Sequence, residues 1–146
     1  MSAPDPEVLL RKVHQWTNYA EEDFRLARLA LTLSTGCPYR LLAFHAQQWA
    51  EKYLKAYLVF TGVDFPYTHN IRRLRELCEA SGSWAGILED ADGLSVYATT
   101  ARYPGEAAEV PREEALRAID LAEKTRDIVR RVLGDQGITL SGPGDV

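Results

Sequence analysis

The chain has 146 residues, of which 46% are hydrophobic and 26% charged, and its formal net charge is −4. This length fits a single domain with a buried core. The negative net charge argues against a protein whose whole surface is basic, so any contact with nucleic acid has to come from a local basic patch.

Cys37 and Cys78 stand far apart with no second pair, which argues against zinc and disulfide frameworks. No apolar run approaches the roughly 18 residues of a membrane span, and the N-terminus lacks the features of a secretory signal. We therefore expect a soluble cytoplasmic protein without membrane contact, metal or cofactor.

Two long helices are predicted in the first half of the chain. Asp5 followed by Pro6 is typical of a cap and first turn, and the helix that follows should end near residues 34–36. A second helix is predicted from Tyr39 to Thr61, where Gly62 ends it. Because only a short turn joins these helices, they should pack antiparallel. The apolar residues of the first helix recur every three or four positions: Val13, Trp16, Ala20, Phe24, Ala27 and Leu31.

Shorter helices are predicted in the middle of the chain. Thr68 is a suitable N-cap for a third helix over residues 69–80, and a short helical segment is predicted over residues 84–88. A fourth helix is predicted around Tyr97, and Pro104 ends it because proline disfavours helical geometry at the residue before it.

A final helix completes the predicted bundle. Pro111 suits its first position, and the apolar period continues to Leu133, where Gly134 ends the helix. Residues 135–146 contain too little apolar surface to dock and are predicted to be a flexible tail. The sequence thus predicts an all-α, up-and-down antiparallel bundle of about five helices over residues 1–134.

The second predicted helix carries an ordered row of polar residues: His45, Gln48, Glu51, Lys52 and Lys55. At 100° per residue they fall on one side of the helix, opposite its aromatic stripe. One interpretation is a solvated face with an ordinary Glu51–Lys55 ion pair at i,i+4 spacing. The other is a binding site for a phosphate-bearing ligand. The pattern alone leaves both open.

Three sequence stretches occur together: FHAQQWAEKYLKAYL at 44–58, THNIRRL at 68–74 and ARYP at 101–104. With WTNYAEEDFRLARLAL at 16–31, this combination resembles the HEPN domain family from Arg11 to Val132. The resemblance implies a small helical bundle that is often dimeric and has a nucleotide- or RNA-directed role. It also implies a minimal nucleotidyltransferase (MNT-type) protein as partner in a toxin–antitoxin pair, since no nucleotidyltransferase motif occurs in this chain.

The resemblance points to a set of candidate residues for binding nucleotide or phosphate: Gln48, Lys52, Lys55, His69, Arg102 and Tyr103. A helix N-terminus beside an imidazole can hold a phosphate at His69, although the ring could equally pack against a neighbouring helix. Arg102 could bind a phosphate and Tyr103 stack a base, or the two could simply fix the exit of the loop. A basic run from Arg72 to Arg75 could join Lys52 and Lys55 in one patch, or be a solvated face.

A second interpretation concerns catalysis and leaves open whether the protein is an enzyme. Nuclease branches of the HEPN family carry an arginine four to six residues before a histidine, and Arg40 and His45 match that spacing. A histidine could move the proton of a 2′-hydroxyl while an arginine stabilises charge on the phosphoryl oxygens, without a metal. Five residues place the two side chains about 140° apart on a helix. They would therefore converge only in a distorted first turn or across a homodimer, for which Phe44 and Leu9-Leu10 are candidate contacts.

Overall fold

The computed structural model describes residues 5–100 and 109–140. Its helices are α1 (Pro6–Leu31), α2 (Tyr39–Thr61), α3 (Ile71–Glu79), α4 (Tyr97–Thr100) and α5 (Arg112–Asp135), and consecutive 3₁₀ turns run over Ser83–Val96. The described residues contain no β-strand. The predicted all-α bundle is therefore confirmed. Within the same residues, no helix has the length and apolar character needed to cross a membrane.

The helix ends follow local capping chemistry. The Asp5 side chain accepts a hydrogen bond from the Glu7 amide at 2.9 Å, and Gly62 ends α2 in the left-handed conformation with φ of 73°. The third helix begins two residues later than predicted, because the Asn70 side chain caps it by accepting a hydrogen bond from the Arg73 amide at 3.0 Å. The short helical segment predicted over residues 84–88 takes 3₁₀ geometry, which continues to Val96, and α-helical geometry follows over Tyr97–Thr100, where the fourth helix was predicted. The predicted terminator of that helix, Pro104, lies outside the described residues.

The second helix is the centre of the bundle. It packs against α1, α3, α4, α5 and the 3₁₀ segment. Among the large side chains that it buries completely are Trp49, Tyr53, Leu54 and Leu58. Since neighbours surround α2, two members of its polar row, Glu51 and Lys55, are buried. The solvated-face interpretation of this pair is wrong, although the predicted ion pair does form.

The chain after α5 folds back onto the bundle. The Ile138 amide donates to the Leu133 carbonyl at 3.0 Å, and Ile138 and Leu140 pack partly buried against the core. Both residues belong to the segment expected to be a flexible tail, so packing against the core extends at least to Leu140.

Candidate functional site

Asp23 of α1 organises one half of the candidate site. Its Oδ1 lies 2.8 Å from Nδ1 of His45, and its Oδ2 accepts a hydrogen bond from Nζ of Lys52 at 2.6 Å. His45 and Lys52 are two helical turns apart on α2, so they share the face that meets α1. The carboxylate is buried, whereas the His45 and Lys52 side chains are 23% and 21% exposed. A buried anion thus presents an imidazole and an ammonium side by side at the surface.

Glu51 organises the other half from within α2. Its Oε1 lies 2.8 Å from Nδ1 of His69 and also accepts from Nε2 of Gln47, and its Oε2 accepts from Nζ of Lys55 at 2.9 Å. Gln47 donates to the His69 carbonyl as well and accepts from Gln48. This network fixes the segment before α3 against α2, with the His69 side chain 29% exposed.

Lys55 faces the interior. The residue is 4% exposed, and its ammonium lies 5.4 to 6.0 Å from the ring centroids of Trp16, Phe65 and Tyr67. Such contacts stabilise a cation that has left water. A phosphate would contact Lys55 only after these rings and Glu51 had moved, so in this arrangement Lys55 orients Glu51.

The two carboxylates also determine which ring nitrogen of each histidine faces a ligand. A carboxylate only accepts hydrogen bonds, so Nδ1 of each ring carries the proton that it donates. Nε2 of His45 and of His69 has no hydrogen-bond partner in the described part of the chain. Carboxylate–histidine pairs of this kind hold an imidazole in a fixed orientation for binding or proton transfer.

An exposed ring adjoins the site. Tyr67 is 92% exposed, and its centroid lies 5.5 Å from that of the His69 ring in edge-on geometry. Sequence reasoning missed Asp23, Gln47 and Tyr67. Gln47 adjoins a predicted site residue, but nothing in the local pattern distinguishes Asp23 from its acidic neighbours Glu21 and Glu22.

The remaining residues predicted for the site lie outside the Asp23 and Glu51 networks or outside the described part of the chain. Arg40 is exposed in the first turn of α2, five residues before His45. The basic run on α3 does not join the site through Arg75: that side chain is buried and makes two hydrogen bonds to Asp92, at 2.7 and 2.8 Å, which raise its pKa. Arg102 and Tyr103 lie outside the described residues. Within the residues described, no group of three or more His, Cys, Asp or Glu could hold a metal ion.

A second buried network fixes the helices that carry the site. Glu21 accepts hydrogen bonds from the Tyr53 hydroxyl, from Nε of Arg126 at 2.8 Å and from Nη1 of Arg130 at 3.1 Å. Burial raises the pKa of Tyr53, and the hydrogen bond and charge of Glu21 raise it further. Burial opposes the charge on Arg126, but Glu21 outweighs that effect and the pKa of Arg126 is raised. Since Asp23 lies two residues beyond Glu21 and Lys52 directly precedes Tyr53, this network joins α1, α2 and α5 beside the site.

Fold and site together define a small all-α bundle with two carboxylate-oriented histidines, His45 on the central helix α2 and His69 on the segment before α3. The model of the HEPN domain family matches residues 13–132, so the chain belongs to that family. A search of curated proteins and a search of solved structures found no significant match.

Proposed function

We propose that this protein binds the phosphate of a nucleotide or nucleic acid on the surface formed by His45, Gln48, Lys52 and His69. The single observation that supports this most is the Asp23 pair: one buried carboxylate holds an imidazole and an ammonium within 2.8 Å and leaves both partly exposed. Membership of the HEPN family also supports a role in binding nucleotide or nucleic acid. Arg102 and Tyr103 remain predicted contributors to this surface.

The proposal of a nucleotide rather than a bare anion rests on Tyr67. An almost fully exposed aromatic ring beside a candidate phosphate site offers a face for base stacking, which contributes about 1–3 kcal/mol per base in single-strand binders. The neighbouring His69 ring and the Glu51 network limit how far the segment carrying Tyr67 can move.

The binding test is thermal unfolding and calorimetry with AMP, ATP and a short single-stranded RNA. We expect a rise in Tm with at least one ligand, and a loss of that rise in Lys52→Met. Lys12→Met is the matched control, because Lys12 is exposed on α1 and eleven residues, about 16 Å of helix, separate it from Asp23. An equal loss in both variants, or no rise with any ligand, would refute the proposal.

We also propose that the protein acts with a minimal nucleotidyltransferase partner, as the toxin–antitoxin relationship of the family implies, and as a homodimer. The dimer proposal is supported by apolar side chains exposed near the turn between α1 and α2: Leu26, Leu29, Leu33 and Leu41. Of the residues singled out from sequence as dimer contacts, Leu10 is exposed, whereas Phe44 and Leu9 are only half-exposed. Co-purification with a co-expressed MNT-type protein would support this partner. Failure of the two co-expressed proteins to co-purify would contradict it.

A second candidate function is metal-independent cleavage of RNA by Arg40 and His45. The observation that favours it is the Asp23–His45 pair, which leaves Nε2 of His45 able to accept the proton of a 2′-hydroxyl. Cleavage should then persist in chelator and disappear in His45→Ala and Arg40→Ala. Intact RNA after incubation with the wild-type dimer would exclude this function without affecting the binding proposal.

A further inference from the structure

The charges of the site nearly cancel before any ligand arrives. Asp23 is paired with Lys52, and Glu51 is paired with Lys55. Each pair has one negative and one positive charge, so the four groups contribute no net charge. A phosphate therefore finds no uncompensated ammonium here. Positive charge in this network has to come from the imidazoles of His45 and His69.

The hydrogen-bond geometry restricts how those imidazoles can contact a phosphate. Because Nδ1 of each ring donates to a carboxylate, the neutral imidazole has a bare, accepting Nε2. The ionised oxygens of a phosphate are acceptors as well. Two acceptors repel at hydrogen-bond distance, so a proton has to lie between Nε2 and the phosphate oxygen before the contact is favourable.

We propose that phosphate binding at this site is coupled to proton uptake, with one proton taken up for each of His45 and His69 that contacts the phosphate. This inference rests on the proposed binding function and adds its regulation: the site holds phosphate more tightly as the pH falls, because an imidazole that takes up a proton gains a donor at Nε2. The carboxylates serve two purposes here, since they orient the rings and stabilise the imidazolium that forms.

The groups that face each histidine are consistent with this coupling. His45 faces Asp23 of α1 and Lys52 of α2, which shares that carboxylate, and its ring contacts Phe44. Arg40 precedes it on α2. His69 faces Glu51, which Lys55 shares, and the Tyr67 ring. In each half the buried carboxylate is the partner bound directly to the imidazole.

The test measures the affinity of full-length protein for a short RNA with a 5′-hydroxyl end, by calorimetry between pH 6 and 8.5. The phosphodiesters of this probe do not titrate in that range, so any proton taken up is bound by the protein. AMP is measured alongside as a probe with a terminal phosphate. For each proton that binding takes up, the association constant should fall about tenfold for every unit by which the pH rises above the range in which imidazole titrates. Repeating the titration in two buffers of different ionisation enthalpy counts the protons independently.

Histidine variants separate a titrating role from a structural one. His45→Gln and His69→Gln keep a side-chain donor that is present at every pH, so each should reduce the number of protons taken up by one and flatten the pH profile. A variant that lowers affinity equally at all pH values, with the wild-type slope, would show that its histidine is structural. Binding by the wild-type protein without pH dependence or proton uptake would overturn this inference and leave the binding proposal standing. No binding of either probe at any pH would overturn both.

Discussion

The burial of Lys55 gives a quantitative prediction for Lys55→Met. Methionine has a similar length and removes the ammonium, so Glu51 stays buried without the lysine that it pairs with at 2.9 Å. Removing one partner of a buried pair costs about 3–5 kcal/mol. Glu51 keeps its hydrogen bonds to His69 and Gln47, which places the loss in free energy of unfolding at the lower end, about 3 kcal/mol. For a domain of this size that corresponds to a fall in Tm of roughly 10 °C.

Urea unfolding followed by circular dichroism measures this loss directly. Exposed Lys12→Met is the control and should change stability by less than about 0.5 kcal/mol. Combining Lys55→Met with Glu51→Gln removes both charges, so the double variant should lose less than the sum of the single losses. An i,i+4 pair on a solvated face contributes only about 0.3–0.5 kcal/mol. A loss below about 1 kcal/mol in Lys55→Met would therefore refute the buried arrangement and restore the solvated-face interpretation.

Four other predictions follow from the buried groups and the exposed apolar surface. Burial raises the pKa of the Cys78 thiol to about 12. At pH 8, Ellman's reagent should therefore label Cys37 in the native protein and label Cys78 only in urea. Prompt labelling of both thiols in the native protein would contradict this. Because that thiol stays protonated in the folded state and ionises in the unfolded chain, its contribution to stability should be complete below about pH 8.5 and decline above it, which urea titrations with Cys78→Ala as the reference would reveal. Arg126→Met should lower the free energy of unfolding by about 3 kcal/mol, since Glu21 loses a buried cationic partner. Tyr53→Phe should lower it by about 1 kcal/mol. Equal losses of stability in the two variants would argue against Glu21 as the centre of the network. Leu29→Glu places a charge on a side chain that is 66% exposed, so sedimentation should show a monomer with unchanged Tm if the proposed dimer uses this surface, and an unaltered dimer would exclude it.

The sequence predicted the helices well where local chemistry decides them. The Asp5 cap, the left-handed Gly62 and the long apolar periods each act within a few residues of the chain, and α1, α2 and α5 lie close to their predicted positions. The prediction was weaker from residue 83 to residue 96, where consecutive 3₁₀ turns bury Ala85, Leu88, Ala91 and Leu94. Those spacings of three fit both helix types, so the pattern could not decide between them.

The candidate site was only half predictable, for two physical reasons. An amphipathic pattern assigns one side of a helix to solvent, but α2 contacts every other helix of the described bundle, so Glu51 and Lys55 are buried on the side that the pattern assigned to water. The second reason is distance along the chain: Asp23 precedes His45 by 22 residues, and Glu51 precedes His69 by 18. Nothing local in the sequence indicates which carboxylate meets which imidazole.

The most direct test of the account is an NMR titration of the imidazole nitrogens with AMP and with the short RNA. The chain has three histidines, and His14, on α1 nine residues before Asp23, serves as the internal control. We predict that ligand moves the Nε2 signals of His45 and His69 towards those of a protonated, hydrogen-bond-donating nitrogen and leaves His14 unchanged. Unchanged signals at His45 and His69, or equal shifts at all three rings, would contradict a phosphate site organised by Asp23 and Glu51.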